Sequence, residues 1–129
     1  MIYNIYQIQL TDAQIDAVNN DETVPAYSAK MKLMMDFDGS NASEIAADAL
    51  AQGYYSHVAN ITANDLEHVF EISNIGPESA IERLGRKSSL SVGDIIVDGN
   101  GIVWVCGSVG FDEIGTVPPV AQYDLLMSA

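Results

Sequence analysis

The sequence predicts a single α+β domain, an antiparallel sheet centred on a C-terminal hairpin with two or three packed helices. The main observation is a pair of β-rich runs, Ile95–Val97 and Ile102–Cys106, separated by the turn sequence DGNG. Asp-Gly and Asn-Gly pairs between such runs are typical of tight hairpins, because Gly and Asn accept the positive φ that these turns require. The second observation is the length of 129 residues, without repeats or linkers, which predicts one domain over residues 1–129.

The N-terminal segment predicts a strand followed by a short helix. Residues 2–10 are rich in Ile and Tyr and alternate in polarity, which favours a strand. Thr11 and Gln14 match a capping box, so a helix is expected over about Asp12–Asn19. Its apolar residues expected in the core are Ile15 and Val18.

The next forty residues predict a strand, a loop and a helix. Residues 26–37 contain good helix formers, yet their polarity fits a period of two better, which favours a strand. Residues 36–41 have a loop composition. A helix capped by Asn41 or Ser43 is expected to run to about Gln52, with Gly53 at its C-terminal end.

The middle of the chain predicts another strand, over 54–59, and another helix. Thr62 is the expected N-cap, with Asp65 in the first turn, and the helix is expected to end at Asn74. After the hairpin, Val109–Ile114 is expected to return as a third extended piece, and Gln122–Met127 as a terminal strand. The core is predicted to contain Ile8, Leu66, Val69, Phe70, Ile95, Val97, Val103 and Val105.

Charge is the most informative global property of the sequence. Eighteen acidic residues against five basic ones give a formal net charge of −13. Such a surface repels phosphate backbones, so direct nucleic-acid binding is not expected, whereas basic partners are attracted. Solubility alone is the ordinary alternative explanation of this charge.

The first functional hypothesis is a non-enzymatic protein that binds a basic surface of a host protein, such as the groove of a nucleic-acid-handling enzyme. The acids available for this binding are those on the predicted helices. The candidate residues are Asp12, Asp16, Glu44, Asp48, Glu67 and Glu71.

The second hypothesis is a small-ligand or nucleotide-binding protein that uses the region 83–94. This region holds the densest group of basic residues, directly before a polar turn, and an aromatic side chain could stack on a base. The candidate residues are Arg83, Arg86, Lys87, Ser91, Asp94 and Trp104.

Catalytic and metal-binding patterns are weak in this sequence, and no cofactor or metal is expected. Cys106 lies in a β-rich run, and nothing in the sequence joins it to His57 or His68 as a catalytic base, so a buried structural cysteine is favoured. The two histidines fit no metal-ligand spacing, and the acidic segment that begins at Asp36 fails the spacing of a calcium loop. A single cysteine, the absence of a long apolar run and an N-terminus without basic residues together predict a cytoplasmic protein with no membrane contact.

Five segments of the chain carry a resemblance to a known family: Tyr54-Tyr55, Val58-Ala59, Asp65–Asn74, Arg86–Asp94 and Gly110-Phe111. In these segments the chain resembles small phage- and plasmid-borne proteins, which carry a segment SMSVGD followed by Val or Ile and are similar to YodL-like and KfrB-like accessory domains. Leu90 stands here where methionine is common in that segment. The resemblance implies a viral or other mobile-element origin and an α+β fold, but no activity or catalytic residue.

Overall fold

A computed structural model describes residues 1–35, 41–107 and 110–116 of the chain. Within these residues the fold is α+β, with four α-helices, one short 3-10 helix and a six-stranded antiparallel sheet. In chain order the elements are β1 (Ile2–Ile8), α1 (Asp12–Asn19), α2 (Pro25–Met34), α3 (Ala42–Ala51), β2 (Tyr55–Thr62), α4 (Leu66–Asn74), the 3-10 helix (Glu78–Ala80), β3 (Ile81–Arg83), β4 (Ile95–Val97), β5 (Ile102–Cys106) and β6 (Phe111–Thr116).

The strand order is β3-β2-β1-β4-β5-β6, and every neighbouring pair is antiparallel. The predicted hairpin is confirmed: β4 and β5 pair across the DGNG turn, and β6 returns beside β5. Asp98 holds the turn, because its Oδ1 accepts hydrogen bonds from the backbone N–H groups of Asn100 (2.8 Å) and Ile102 (3.0 Å). The N-terminal strand β1 lies between β2 and β4, so the first and last thirds of the chain share one sheet.

Helices cover both faces of the sheet. Buried residues of α2 and α3, with half-buried residues of α1, pack on the face that includes Tyr6, Ile95 and Val97. Helix α4 packs through Val69 and Ile72 on the opposite face. Because both faces are covered, Ile95, Ile96 and Val97 are all buried, which explains why β4 is uniformly apolar rather than alternating.

Two of the predicted helix-end signals are confirmed, one at the start of α1 and one at the end of α3. The Thr11–Gln14 capping box is present in full at the start of α1. Helix α3 begins after Asn41 and ends before Gly53, whose φ of +80° suits the residue that follows a helix. These interactions are local in sequence, so the residue pattern specifies them directly.

The predicted strand over residues 26–37 is wrong, because Pro25–Met34 forms α2; residues 36 and 37 lie outside the described residues. Pro25 occupies the first turn, where its missing N–H costs no helical hydrogen bond, and the following Ala, Lys, Met and Leu residues favour helix. Ala26 and Leu33, seven residues apart and therefore two helical turns apart, are the buried positions.

Three smaller expectations about the helices are also wrong. Ile15 is 37% exposed and no residue of α1 is fully buried, so this helix lies at the margin of the core. Phe70 was expected in the core but is 41% exposed. Thr62 ends β2 rather than capping α4; Asp65 is the N-cap, and its Oδ1 accepts a hydrogen bond from the His68 N–H at 2.8 Å.

The remaining core predictions hold, with one partial exception. Leu66 is half-buried and packs on the core cluster between α4 and the sheet. The other predicted core residues are buried: Ile8, Val69, Ile95, Val97, Val103 and Val105. The predicted terminal strand 122–127 and most of the loop 36–41 lie outside the described residues.

Candidate functional site

The candidate site is an open groove between α4 and the β5–β6 edge of the sheet. Its volume is about 450 Å³. We call it the α4 groove and define it by six of the described residues that line it: Glu67, Phe70, Leu90, Val92, Cys106 and Phe111. Apolar side chains form most of this lining, and an exposed apolar groove on a charged protein is typical of an interaction site.

The exposure of Phe70 follows from the geometry of α4. Val69 and Ile72 are buried against the sheet, and one helical position corresponds to about 100°, so Phe70 is turned sideways out of that contact. Its ring therefore lines the groove instead of the core. The neighbouring Trp104 and Phe111, from the strands beneath, are only half-buried.

One carboxylate, that of Glu67, lines the groove, and two more lie on the same side of the sheet. Glu67 and Glu71 are exposed on α4, one turn apart, and at about 100° per residue both lie on the same side of Phe70. Glu113 of β6 pairs across the ladder with Trp104, so both side chains lie on the sheet face that α4 covers. Among the described residues, none of these three acids forms a salt bridge.

The floor of the groove is fixed by the turn at residues 91–94. Asp94 Oδ2 accepts hydrogen bonds from the Ser91 N–H at 2.9 Å and from Gln7 Nε2 at 3.0 Å. Gly93 has a φ of +91°, and its N–H donates to the Cys106 carbonyl at 2.7 Å. Gly93 and Asp94 therefore hold this turn, one through its backbone conformation and the other through its carboxylate hydrogen bonds.

Asp94 is an unusual carboxyl because it is only 8% exposed. Burial raises its pKa to about 6, although the hydrogen bonds from Ser91 and Gln7 partly oppose this rise. The two lysines Lys30 and Lys87 also favour its ionised form.

Cys106 is buried, as the sequence indicates, and burial raises the pKa of its thiol to about 11. The sulfur is therefore protonated at neutral pH and is a poor nucleophile there. His57 stacks on Tyr6 with ring centroids 4.9 Å apart, and its Nε2 lies 2.7 Å from Asn60 Oδ1. Burial lowers the pKa of His57, which favours its neutral form, although the hydrogen bond with Asn60 opposes this shift.

The six acidic candidates are all exposed, but they do not form one surface. Asp12 and Asp16 lie on α1, and Glu44 and Asp48 on α3, over one face of the sheet. Only Glu67 and Glu71 lie on the opposite face, on α4, and of the two Glu67 lines the α4 groove. The sequence could not separate these pairs, because all three show the same helical spacing.

The six ligand-binding candidates are also dispersed. Arg83 pairs with Glu78 at 2.6 Å, and Trp104 Nε1 donates to Asp98 Oδ2 at 3.1 Å in the hairpin. Ser91 and Asp94 form the buried turn described above. Arg86 and Lys87 line a separate groove together with Lys30, which the sequence analysis did not select.

No family model, curated protein or solved structure matches this chain. Across the described ranges there is also no group of three or more His, Cys, Asp or Glu residues placed to hold a metal ion. The described helices are all too short or too polar to cross a membrane.

Proposed function

We propose that this chain is a non-enzymatic partner-binding protein that holds a basic, apolar-anchored segment of another protein in the α4 groove. The observation that carries the proposal is the exposed Phe70 beside Glu67, in the lining of an apolar groove. The resemblance to phage- and plasmid-borne proteins supports a mobile-element origin and a cytoplasmic host protein as the partner.

The groove offers two kinds of recognition at one place. Half-exposed aromatic rings provide anchors of the type that dominates binding free energy at protein interfaces. The Glu67 carboxylate in the lining, together with Glu71 on the same helix, favours positively charged flanking residues and repels acidic ones. A segment that combines Lys or Arg with one large apolar side chain satisfies both requirements.

The overall charge assists the same partner. Because the net charge is −13, a basic protein is attracted before contact, and its association rate rises at low ionic strength. Among pairs of described residues, Arg83–Glu78 is the one salt bridge, so the acids on the surface are largely not neutralised by cations of this chain. The same charge opposes direct binding to a nucleic-acid backbone.

The test is a selection of random peptides displayed on phage against the immobilised protein, followed by affinity measurements on the enriched peptides. We expect enrichment of peptides that join basic residues to an aromatic or large aliphatic residue. Phe70→Ala should weaken their binding by at least about tenfold, or about 1.4 kcal/mol. Neutralising the acids beside the groove in Glu67→Gln/Glu71→Gln should weaken binding mainly at low salt.

The matched control is Glu44→Gln/Asp48→Asn on α3. It removes two acids at the same helical spacing but on the opposite face of the sheet. We expect this control to retain most of the affinity. Equal losses in the two double variants would show that only the long-range charge matters, and enrichment of peptides without basic residues would refute the proposal.

A further inference from the structure

Three of the five basic residues of this acidic chain surround one groove at the end of β1. The groove has a volume of about 450 Å³. We call it the basic groove and define it by Lys30, Arg86, Lys87, Ser88, Leu10 and Ile15. No carboxylate of the described residues lines it, although the chain has eighteen acids.

Three separate elements bring these cations together. The segment 86–88 is attached to β1, since Ser88 N–H donates to Gln7 Oε1 at 3.1 Å, Gln7 Nε2 donates to the Ser88 carbonyl at 3.1 Å and Gln9 Nε2 donates to the Arg86 carbonyl. Lys30 arrives from α2 on the other face of the sheet, and its Nζ donates to the Ile8 carbonyl at 3.3 Å. The cationic arrangement is therefore built by the tertiary fold and is present before any ligand binds.

The cations keep hydrogen-bonding capacity for a ligand. Lys87 Nζ donates to the carbonyls of Ser73 (3.4 Å) and Ser88 (3.0 Å), which leaves one of the three ammonium protons. The Arg86 guanidinium makes no hydrogen bond to another described residue, so its planar set of donors is available. Burial lowers the pKa of Lys87, which is the direction expected for a cation that lacks a carboxylate in contact.

We propose that the basic groove binds a small phosphorylated molecule that also carries an apolar or aromatic portion. A planar guanidinium beside two ammonium groups suits the several oxygens of a phosphate. Leu10 and the 37%-exposed Ile15 provide an apolar wall for the remainder of the ligand. A compact anion interacts mainly with these nearby cations, whereas an extended polyanion also meets the repulsion of the acidic surface.

This inference goes beyond the proposed partner binding, because the two grooves share no residue among those that line them. It also replaces the residue set predicted from the sequence: Arg86 and Lys87 are retained, Lys30 is added, and the Glu78-paired Arg83 is removed.

The test is isothermal titration of the protein with inorganic phosphate, pyrophosphate and adenosine monophosphate. We expect adenosine monophosphate to bind more tightly than inorganic phosphate, because only the nucleotide contacts the apolar wall. Lys30→Gln/Arg86→Gln should weaken binding by at least about tenfold, since it removes two phosphate contacts. The control Lys32→Gln/Arg83→Gln removes two other exposed cations outside the groove, of which Arg83 is paired with Glu78, and a loss below about threefold is expected from long-range charge alone.

Several outcomes would overturn the inference. They are equal losses in the two double variants, no binding of any of the three probes at millimolar concentration, or preferential binding of a DNA duplex over adenosine monophosphate. If a variant unfolds, the binding site can instead be located on the wild-type protein by its amide chemical shifts. Addition of adenosine monophosphate should then change the amide resonances of residues 86–88 and Lys30, and changes confined to other regions would refute the site.

Discussion

Gly93 is the position where the structure makes the sharpest stability prediction. Its φ is +91°, a region that L-residues adopt at a cost. A Cβ placed on Gly93 would also lie 2.6 Å from Leu33 Cδ1 and 2.9 Å from Leu33 Cβ. Gly93→Ala therefore combines backbone strain with a steric overlap against α2.

The two contributions have different magnitudes and can be separated. The positive φ costs about 1–2 kcal/mol for an L-residue. Overpacking a well-filled core costs about 1–3 kcal/mol more. We therefore expect Gly93→Ala to lower the free energy of unfolding by about 2–5 kcal/mol, which is a large fraction of the roughly 5–15 kcal/mol typical of a small domain.

Two other glycines serve as matched controls. Gly53 has a φ of +80° but nothing within 4 Å of an added Cβ, so Gly53→Ala reports the backbone strain alone. Gly85 has neither a positive φ nor a close neighbour, so Gly85→Ala should be neutral or slightly stabilising. We expect the destabilisation to follow the order Gly93, then Gly53, then Gly85.

Equilibrium unfolding in urea on a double-mutant cycle with Leu33→Ala tests the steric part. Leu33→Ala alone should cost about 2–5 kcal/mol as a large-to-small core substitution. In that background both Leu33 Cδ atoms are gone while the Cβ at 2.9 Å remains, so only part of the steric cost is relieved, and Gly93→Ala should cost at least about 1 kcal/mol less than in the wild type. An additive cycle, or a cost of Gly93→Ala no greater than that of Gly53→Ala, would refute the steric argument.

Three further predictions concern single carboxylates. Because burial raises the pKa of Asp94 to about 6, above the roughly 4 of an unfolded aspartate, its contribution to stability is largest below about pH 4 and is lost as the pH rises through about 6. Between about pH 4 and pH 7, the unfolding free energy of the wild type should fall by about 3 kcal/mol more than that of Asp94→Asn, because the variant has no carboxyl to titrate at this position. Identical pH profiles of the two proteins would contradict this prediction. Asp98→Ala should destabilise by about 2–4 kcal/mol and shift the Trp104 fluorescence spectrum, because the turn and the indole lose their shared acceptor. Asp65→Ala should cost about 1 kcal/mol in thermal unfolding through loss of the α4 N-cap, whereas Thr62→Ala should not lose a cap.

The sequence predicted those parts of the fold that depend on neighbouring residues. The DGNG hairpin and the Thr11 capping box are specified within five residues each, and both are present. The segment that forms α2 was misassigned because its apolar residues fit two periods, and the choice between them depends on burial of Ala26 and Leu33 against the sheet. Similarly, Thr62 and Asp65 are both acceptable N-caps, and β2 extends to Thr62 because Ile61 pairs with strands on either side.

The two grooves could not be predicted from the sequence, because each joins residues that are distant along the chain. Phe70 and Phe111 share a groove only because β6 returns beside β5 and α4 packs on that face. Lys30 and Arg86 are brought together by the end of β1, to which both of their segments are hydrogen-bonded. Sequence spacing identifies residues that share one face of a helix, but it does not show which residues of separate elements come into contact.

The central position of β1 has a consequence for synthesis of the protein on the ribosome. β1 emerges before both of its partners and can pair with β2 on one side, but its other edge stays open until β4, near residue 95, has also emerged. During that interval the nascent chain exposes Ile5 and an unpaired strand edge, both of which the finished fold conceals. A chain that terminates before the hairpin therefore lacks β4, which pairs with the second edge of β1. We expect such a fragment to associate through that unpaired edge rather than to fold independently.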